Sequence, residues 1–447
     1  WSLGGRGIDE KKEIRLNALF EKLFRLNDHQ TTVGKESLAG VISFLSIVYI
    51  IAVNSTILSD AGIPLEAGIF ATVASAFVGC VIMAFWANAP LILVPGMGIN
   101  ALFTYTMVQS MGLSWQEGLL AVVISGFLFI ALAFSRLSAK IVSSIPHSLK
   151  EAITVGVGLF LTFIGLQKGK LVVPSENTFV ALGDLSDPFV ISTLLTLIIT
   201  IVLFIRNVKG NFLLSMIAGS VLAFLLGVRS GAEKGQSAGS VNDFFSSFGT
   251  LSFGAIGDVA FWAAVFSLTM VLIFENIGLL HGQLGMMNQD SKFPRAFQAT
   301  AASALLSGVF GTSPTVSSVE GASGIAAGGR TGLTSLITGV LFLSSLLFIP
   351  FIKLVPDSAI APILIVIGAL MIQNIKNINL QDLTEGFPAF LIIALIPLTY
   401  SIADGIAFGF IAYPLLKLFL GKMREVSMFM YVSALLFFLN FVLHYIA

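Results

Sequence analysis

Residues 311–332 read GTSPTVSSVEGASGIAAGGRTG. Upstream lies AFQATAASALLSGVF and downstream LTSLITGVLFLSSLLFIPFI, both long, uncharged and apolar. Between them come the helix breaker Pro314, a run of small hydroxyl residues, Glu320, and five glycines ahead of Arg330. A carboxylate on irregular backbone amid such neighbours needs a partner or a water-filled cavity, and the fold follows from how that need is met.

The flanking runs are typical of the whole chain. Of 447 residues, 56% are hydrophobic and 11% charged, where a soluble domain carries roughly a quarter charged residues. Apolar runs of about 18 residues or more recur along most of the length, the mark of helices that cross a bilayer. The sequence therefore predicts an all-α polytopic membrane protein. Its net charge is zero and no basic patch is present, which argues against a nucleic-acid partner. Cys80 stands alone and the four histidines are scattered. No internal disulfide, metal or cofactor is therefore expected.

Spans are read near 36–58, 67–86, 91–111, 117–135, 148–168, 188–205, 211–228, 259–281, 295–311, 313–328, 332–352, 357–374, 386–401 and 402–420. Lys and Arg favour cytoplasmic connections. Lys11, Lys12, Arg15, Lys22, Arg25 and Lys35 precede the first span, and Arg136, Lys140, Lys150, Arg206, Lys209, Lys292, Arg295, Arg330, Lys376, Lys417, Lys422 and Arg424 fall in or beside even-numbered connections. Connection 59–66 has no cation, and 229–258 has only Arg229 and Lys234. Fourteen spans with a cytoplasmic N-terminus fit this pattern, in a cell's inner membrane. Residues 10–29 place Leu16, Leu19, Phe20, Leu23 and Phe24 on one face, as in a helix lying on the membrane surface, within an N-terminal arm of residues 1–35. The apolar tail 426–447 reads as interfacial or as an extra span.

Internal symmetry is weak but present. IPHSLKEAITVGVG from Ile145 parallels VPDSAIAPILIVIG from Val355, and VISFLSIVYII from Val41 parallels VFSLTMVLIFE from Val265, both offset by a little over 200 residues. Two repeats of seven spans follow, and an odd-numbered repeat must enter the membrane from opposite sides. The third and tenth spans, equivalent in the two repeats, are both broken. The third reads NAPLILVPGMGINALFTYTMV, with Pro90 and Pro95 framing a β-like stretch and Gly96 and Gly98 opening a helical half. Paired interruptions at matching positions point to a midplane site addressed by two half-helix N-termini; two unrelated kinks are the alternative.

Glu275, in MVLIFENIGLL, and Glu320 are the acidic residues that look deep in the membrane, and neither span offers a cation to pair with them. They are candidate ligand acceptors and proton carriers. Asn100 can donate and accept, Ser318 stands beside Glu320, and Phe44 and Tyr49 are stacking candidates, with core packing the plainer role for both rings. Two carboxylates suit a flat neutral heterocycle with several N–H donors and repel an inorganic anion.

GTSPTVSSVEGASGIAAGGRTGLT, PGMGINALFTY and TTVGKESLAGVISFLSIVYIIAVNSTILSDAGIP resemble the AzgA-like purine permeases of the nucleobase-ascorbate transporter superfamily, over about Thr31 to Leu420. The resemblance implies fourteen spans in two inverted repeats, with short β-strands in spans 3 and 10. It implies a core domain (36–135 and 259–352) and a gate domain (148–228 and 357–420). It further implies proton-coupled uptake of purine bases by elevator-like movement of core against gate, commonly in a homodimer. By motif, Asn100, Glu275 and Glu320 fall on the positions used for the base and the proton. One departure is Glu275-Asn-Ile-Gly278 in place of the usual D-T-x-G, closer to the E-x-x-G of uracil and xanthine/urate transporters. Other nucleobases or aromatic heterocycles are thus an alternative cargo. An anion exchanger or a passive channel fits the two glutamates less well, and no nucleophile-base pair suggests an enzyme.

Overall fold

The structure, a computed structural model, describes residues 18–135, 144–228 and 244–446. Lys11, Lys12, Arg15, Leu16, Arg136, Lys140, Arg229 and Lys234 lie outside them. Among the described residues nine helical stretches are long and apolar enough to cross a membrane. They are Val33–Asp60, Leu65–Ala87, Trp115–Ala133, His147–Lys168, Pro188–Ile205, Val259–Gly285, Gly332–Ile352, Asp357–Asn377 and Ile402–Phe419.

The first stretch is two helices, α1 (Val33–Ile47) and α2 (Ile50–Asp60), with a turn at Val48–Tyr49. Thr32 caps α1 by accepting from the Lys35 N–H at 3.4 Å. Then come α3 (Leu65–Ile82), strand β1 (Leu93–Pro95), α4 (Met97–Ala101) continuing as wide π-type turns to Ser110, and α5 (Trp115–Ala133). α6 (His147–Lys168), the hairpin β2 (Val172–Ser175) and β3 (Phe179–Leu182), α7 (Pro188–Ile205) and α8 (Asn211–Leu225) follow. The second half holds α9 (Val259–Gly285), α10 (Phe293–Phe310), β4 (Thr315–Ser317), α11 (Ala322–Ala326), α12 (Gly332–Ser344) and the short α13 (Ile349–Ile352). α14 (Asp357–Ile372), α15 (Leu383–Thr399), α16 (Ile402–Phe419) and α17 (Met428–Ile446) close the chain.

These elements sort into two packed groups. α1–α5 pack with α9–α12 and enclose β1 and β4, while α6–α8 pack with α14–α16. The groups meet where α4 and α9 touch α6, where α1 touches α8, and where α9 touches α16. α17 lies against α16 and α9.

Several expectations shift. The helix expected over 10–29 is, in its described part, only residues 18–24. It is anchored rather than wholly surface-lying: Phe24 is buried with Leu26 against Ala84 and Leu333, although Leu19 and Leu23 stay exposed. The span expected at 386–401 stops at Thr399, because Tyr400 adopts a left-handed conformation (φ 58°) and Ser401 caps α16. The β2–β3 hairpin was not expected. Its β-branched VVPS and apolar FVAL around the polar turn ENT carry the signal, and its tip exposes Phe179.

Candidate functional site

β1 and β4, the two interruptions, pair with each other. They run antiparallel with Leu93 opposite Ser317, Val94 opposite Val316 and Pro95 opposite Thr315. The Gly96 N–H donates to the Pro314 carbonyl at 3.3 Å, and the Ser318 N–H to the Ile92 carbonyl at 3.3 Å. All six strand residues are buried. Backbone that would be orphaned at membrane depth is thereby satisfied from within, which requires both broken spans at once. Gly96 permits the approach, since a Cβ there would sit 2.6 Å from Val316 Cγ2. Antiparallel pairing sends the two following helices off opposite ends of the ribbon, so their starts lie about 10 Å apart along it.

Glu320 stands at one of those ends, half-buried in a tight turn from Val319 to Gly321. The Tyr49 hydroxyl donates to Oε1 at 2.5 Å, the Ser318 hydroxyl donates to Oε2, and the Glu320 carbonyl accepts from the Ser323 hydroxyl at 2.7 Å. Tyr49 is fully buried at the break between α1 and α2, and its ring packs edge-on against Phe212 of α8 at 5.0 Å. One side chain thus touches the candidate acceptor and the other helix group. Beside Glu320, Val319 is 64% exposed although Ser317, Ser318 and Gly321 are buried. The turn therefore opens onto free space.

Glu275 lies on α9, half-buried, with no hydrogen bond or ion pair among the described residues. Gly278 and Gly282, three and seven residues on, share its helix face. Both are exposed, and a Cβ added to either meets nothing within 4 Å. This face borders open space from Glu275 towards the helix end at Gly285.

The other expected residues take different places. Asn100 is fully buried, and its amide donates to the Asn54 carbonyl at 3.4 Å while its own oxygen has no partner among the described residues. It belongs to a cluster at the Pro314 end of the ribbon, where Asn54 donates to Thr72 at 2.7 Å and Thr312 at 3.0 Å and accepts from Ser313 at 3.4 Å. Gly98 allows close contact with the other group, since a Cβ there would lie 2.6 Å from Val157 Cγ1 of α6. Phe44 packs edge-on against Phe342 at 5.3 Å. Tyr49, Ser318 and Glu320 are brought together; Asn100, Gly98 and Phe44 are not joined to them.

Residues passed over in the sequence hold this arrangement. Gln283 and Asn276 of α9 bond to β4, with Gln283 Nε2 donating to the Ser318 carbonyl at 2.5 Å. Glu36, fully buried, accepts from the Arg330 N–H at 2.9 Å, the Thr331 N–H at 3.3 Å and the Thr334 hydroxyl at 2.6 Å, which fixes the start of α12. Nearby, Lys292 donates to the carbonyls of Asn88 and Arg330. Burial pushes its ammonium down to about 8 against the pull of the Glu36 carboxylate. At the opposite end of α1–α2, Lys168 of α6 meets Asp60 at 2.7 Å and Asp357 at 3.9 Å, and the Tyr105 hydroxyl donates to Asp60 at 2.6 Å. The Ile402 N–H donates to the Thr106 hydroxyl at 3.0 Å, a second bond between the two groups at that end. Acidic residues scattered in sequence give little hint of such meetings.

The model of the Permease family matches residues 34–408. Nucleobase transporter PlAzg2 of Paenibacillus larvae is 52% identical over 382 residues, covering 85% of this chain and 77% of that protein. Guanine/hypoxanthine permease PbuO of Bacillus subtilis is 38% identical over 431 residues, covering 94% and 99%. Among solved structures, the transmembrane domain of the cyanobacterial bicarbonate transporter BicA superposes with a TM-score of 0.63 at 16% identity, covering 83% of this chain and 96% of that one. That likeness speaks for the fold alone. With its buried ribbon, its apolar helices and a match over most of its length, the chain belongs to the Permease family, as a multi-pass membrane permease of the AzgA-like kind its motifs resemble.

Proposed function

We propose that this permease takes up purine nucleobases such as hypoxanthine, guanine, adenine or xanthine, driven by a proton gradient. The base sits between Glu320 and Glu275. The observation that carries this reading is the pair of unlike carboxylates beside open space: Glu320 oriented by Tyr49 and Ser318, Glu275 without a partner. A carboxylate offers about four lone-pair sites, so Glu320 still has two for the N–H groups along a purine edge. Its fixed orientation means that little freedom is lost when the base binds. Glu275, facing free space, is the proton carrier: it can gain and lose a proton without breaking a structural bond. The names of PlAzg2 and PbuO support a nucleobase cargo.

In this reading the chain makes fourteen spans in two inverted repeats, including the broken pair, with its N-terminus in the cytoplasm of the cell whose inner membrane it occupies. The group containing the ribbon is the core, and α6–α8 with α14–α16 is the gate. The core carries the base across by sliding against the gate, in a homodimer. The division of helix packing and the few direct links between the groups support such sliding. Glu275-Asn-Ile-Gly278 favours a second cargo, uracil or a xanthine-type base, because the longer acid reaches further into the site.

The test is a binding screen of purines, pyrimidines and aromatic analogues on the purified protein, repeated with Glu320→Gln. Purine binding that weakens in the variant is expected; no binding by any nucleobase overturns the proposal. Uptake into vesicles should collapse with a protonophore, whereas uptake that ignores it and never saturates would mean a passive channel.

A further inference from the structure

β4, which leads into Glu320, is held on its open side by α9, the helix that carries Glu275. Asn276 Oδ1 accepts from the Ser317 N–H at 3.0 Å, and Asn276 Nδ2 donates to the Leu272 carbonyl at 2.8 Å, which fixes the orientation of its amide. Two turns further on, Gln283 Oε1 accepts from the Ser317 hydroxyl at 2.7 Å while its Nε2 donates to the Ser318 carbonyl at 2.5 Å. Asn276 is fully buried and Gln283 is 4% exposed. Seven residues apart, the two share a helix face, about 100° from the face that bears Glu275, Gly278 and Gly282. One face of α9 fastens the strand and the next presents the carboxylate.

Ser318 is the node between them. Its carbonyl is held by Gln283 and its hydroxyl donates to Glu320. We infer that Gln283, assisted by Asn276, is a positioning residue that sets the separation of Glu320 from Glu275 and thereby selects among bases. This rests on the proposal that a purine bridges the two carboxylates. Gln283 touches no ligand; it acts through Ser317 and Ser318. Only an uncharged amide of this length supplies the donor and the acceptor that the strand demands here. A rigid planar ligand senses displacement of one carboxylate by an ångström, because its N–H groups cannot follow. Hypoxanthine and adenine differ in that respect, since one presents a carbonyl and N–H where the other presents an amino group and a bare nitrogen.

The experiment uses the purified full chain, wild type and Gln283→Met, which keeps length and burial but removes both bonds. Titration with hypoxanthine and with adenine gives the ratio of their dissociation constants, which partial unfolding does not alter. The ratio is expected to move towards one by about fivefold, and Gln283→Glu, which keeps only the bond from Ser317, should shift it too. An unchanged ratio in folded Gln283→Met overturns the inference. A ligand-free arm labels Val319→Cys with a maleimide, alone and combined with Gln283→Met. A labelling rate altered about threefold is expected if the strand is released from α9, and an unaltered rate overturns the positioning role. If wild type binds neither base, the purine proposal fails and the labelling arm still decides whether Gln283 holds the strand.

Discussion

Glu320 has a hydrogen bond on each oxygen before any ligand arrives, so its neighbours orient the carboxylate, and among the described residues no cation pairs with it. Glu320→Gln puts an NH₂ where Tyr49 or Ser318 now donates. A charge-assisted hydrogen bond of about 1.5–3 kcal/mol is lost, so purine affinity should fall about tenfold to a hundredfold by calorimetric titration. Tyr49→Phe is a finer probe, because the ring keeps its contact with Phe212 while the hydroxyl is removed. Binding should weaken about tenfold through a less ordered Glu320, without loss of folded protein in size-exclusion chromatography. Glu275 has no comparable ties among the described residues, so Glu275→Gln should weaken purine binding by the loss of one bridging acceptor and, more sharply, abolish the dependence of uptake on the proton gradient. Retention of protonophore-sensitive uptake in that variant would assign the proton to another group.

The ribbon of β1 and β4 is the element on which the candidate site depends, and its tightest point is Gly96 against Val316. Gly96→Ala drives a methyl into that contact, an overpacking that costs about 1–3 kcal/mol. A lowered melting temperature with weakened binding is expected. Pro90, Pro95 and Pro314 with their flanking glycines and serines announced both broken spans, because prolines and glycines interrupt helices in a way that chain-local reading detects. Helix limits were legible to within a few residues from apolar runs. The register of β1 with β4 was not, since its partner lies in the far half of the chain and three-residue strands carry no periodicity. The break at Val48–Tyr49 was equally silent, for SIVYII contains no breaker. Glu320 stood out as a charge in apolar surroundings, but the hydroxyl end of Tyr49 was hidden behind its aromatic ring. Gln283 and Asn276 read as ordinary polar residues in a helix, because their meaning lies in what they meet.

Across the whole molecule, the two helix groups are pinned at the end where Lys168 meets Asp60 and Ile402 meets Thr106. Free space instead borders the face of Glu275, Gly278 and Gly282. In the proposed topology, the bare face of α9 runs to the end where Gly285 lies, on the cytoplasmic side, and the site would be approached from there. In the sliding motion proposed above, the Lys168–Asp60 contact between the two helix groups would have to break, a half-buried pair with Tyr105 as its second partner. Asp60→Asn should populate the opposite state. In intact cells, a membrane-impermeant thiol reagent should leave Val319→Cys largely unmodified and label it several-fold faster when Asp60→Asn is added, an effect of about 1 kcal/mol on the equilibrium. Equal labelling in the two would show that this contact does not hold the outer side shut. The bare face of α9 has a consequence of another kind. A methyl group introduced at Gly278 or Gly282 would meet no other atom within 4 Å. Cargo size could therefore drift by single substitutions there while folding stays intact, which leaves natural selection a dial for substrate range that is mechanically separate from the scaffold.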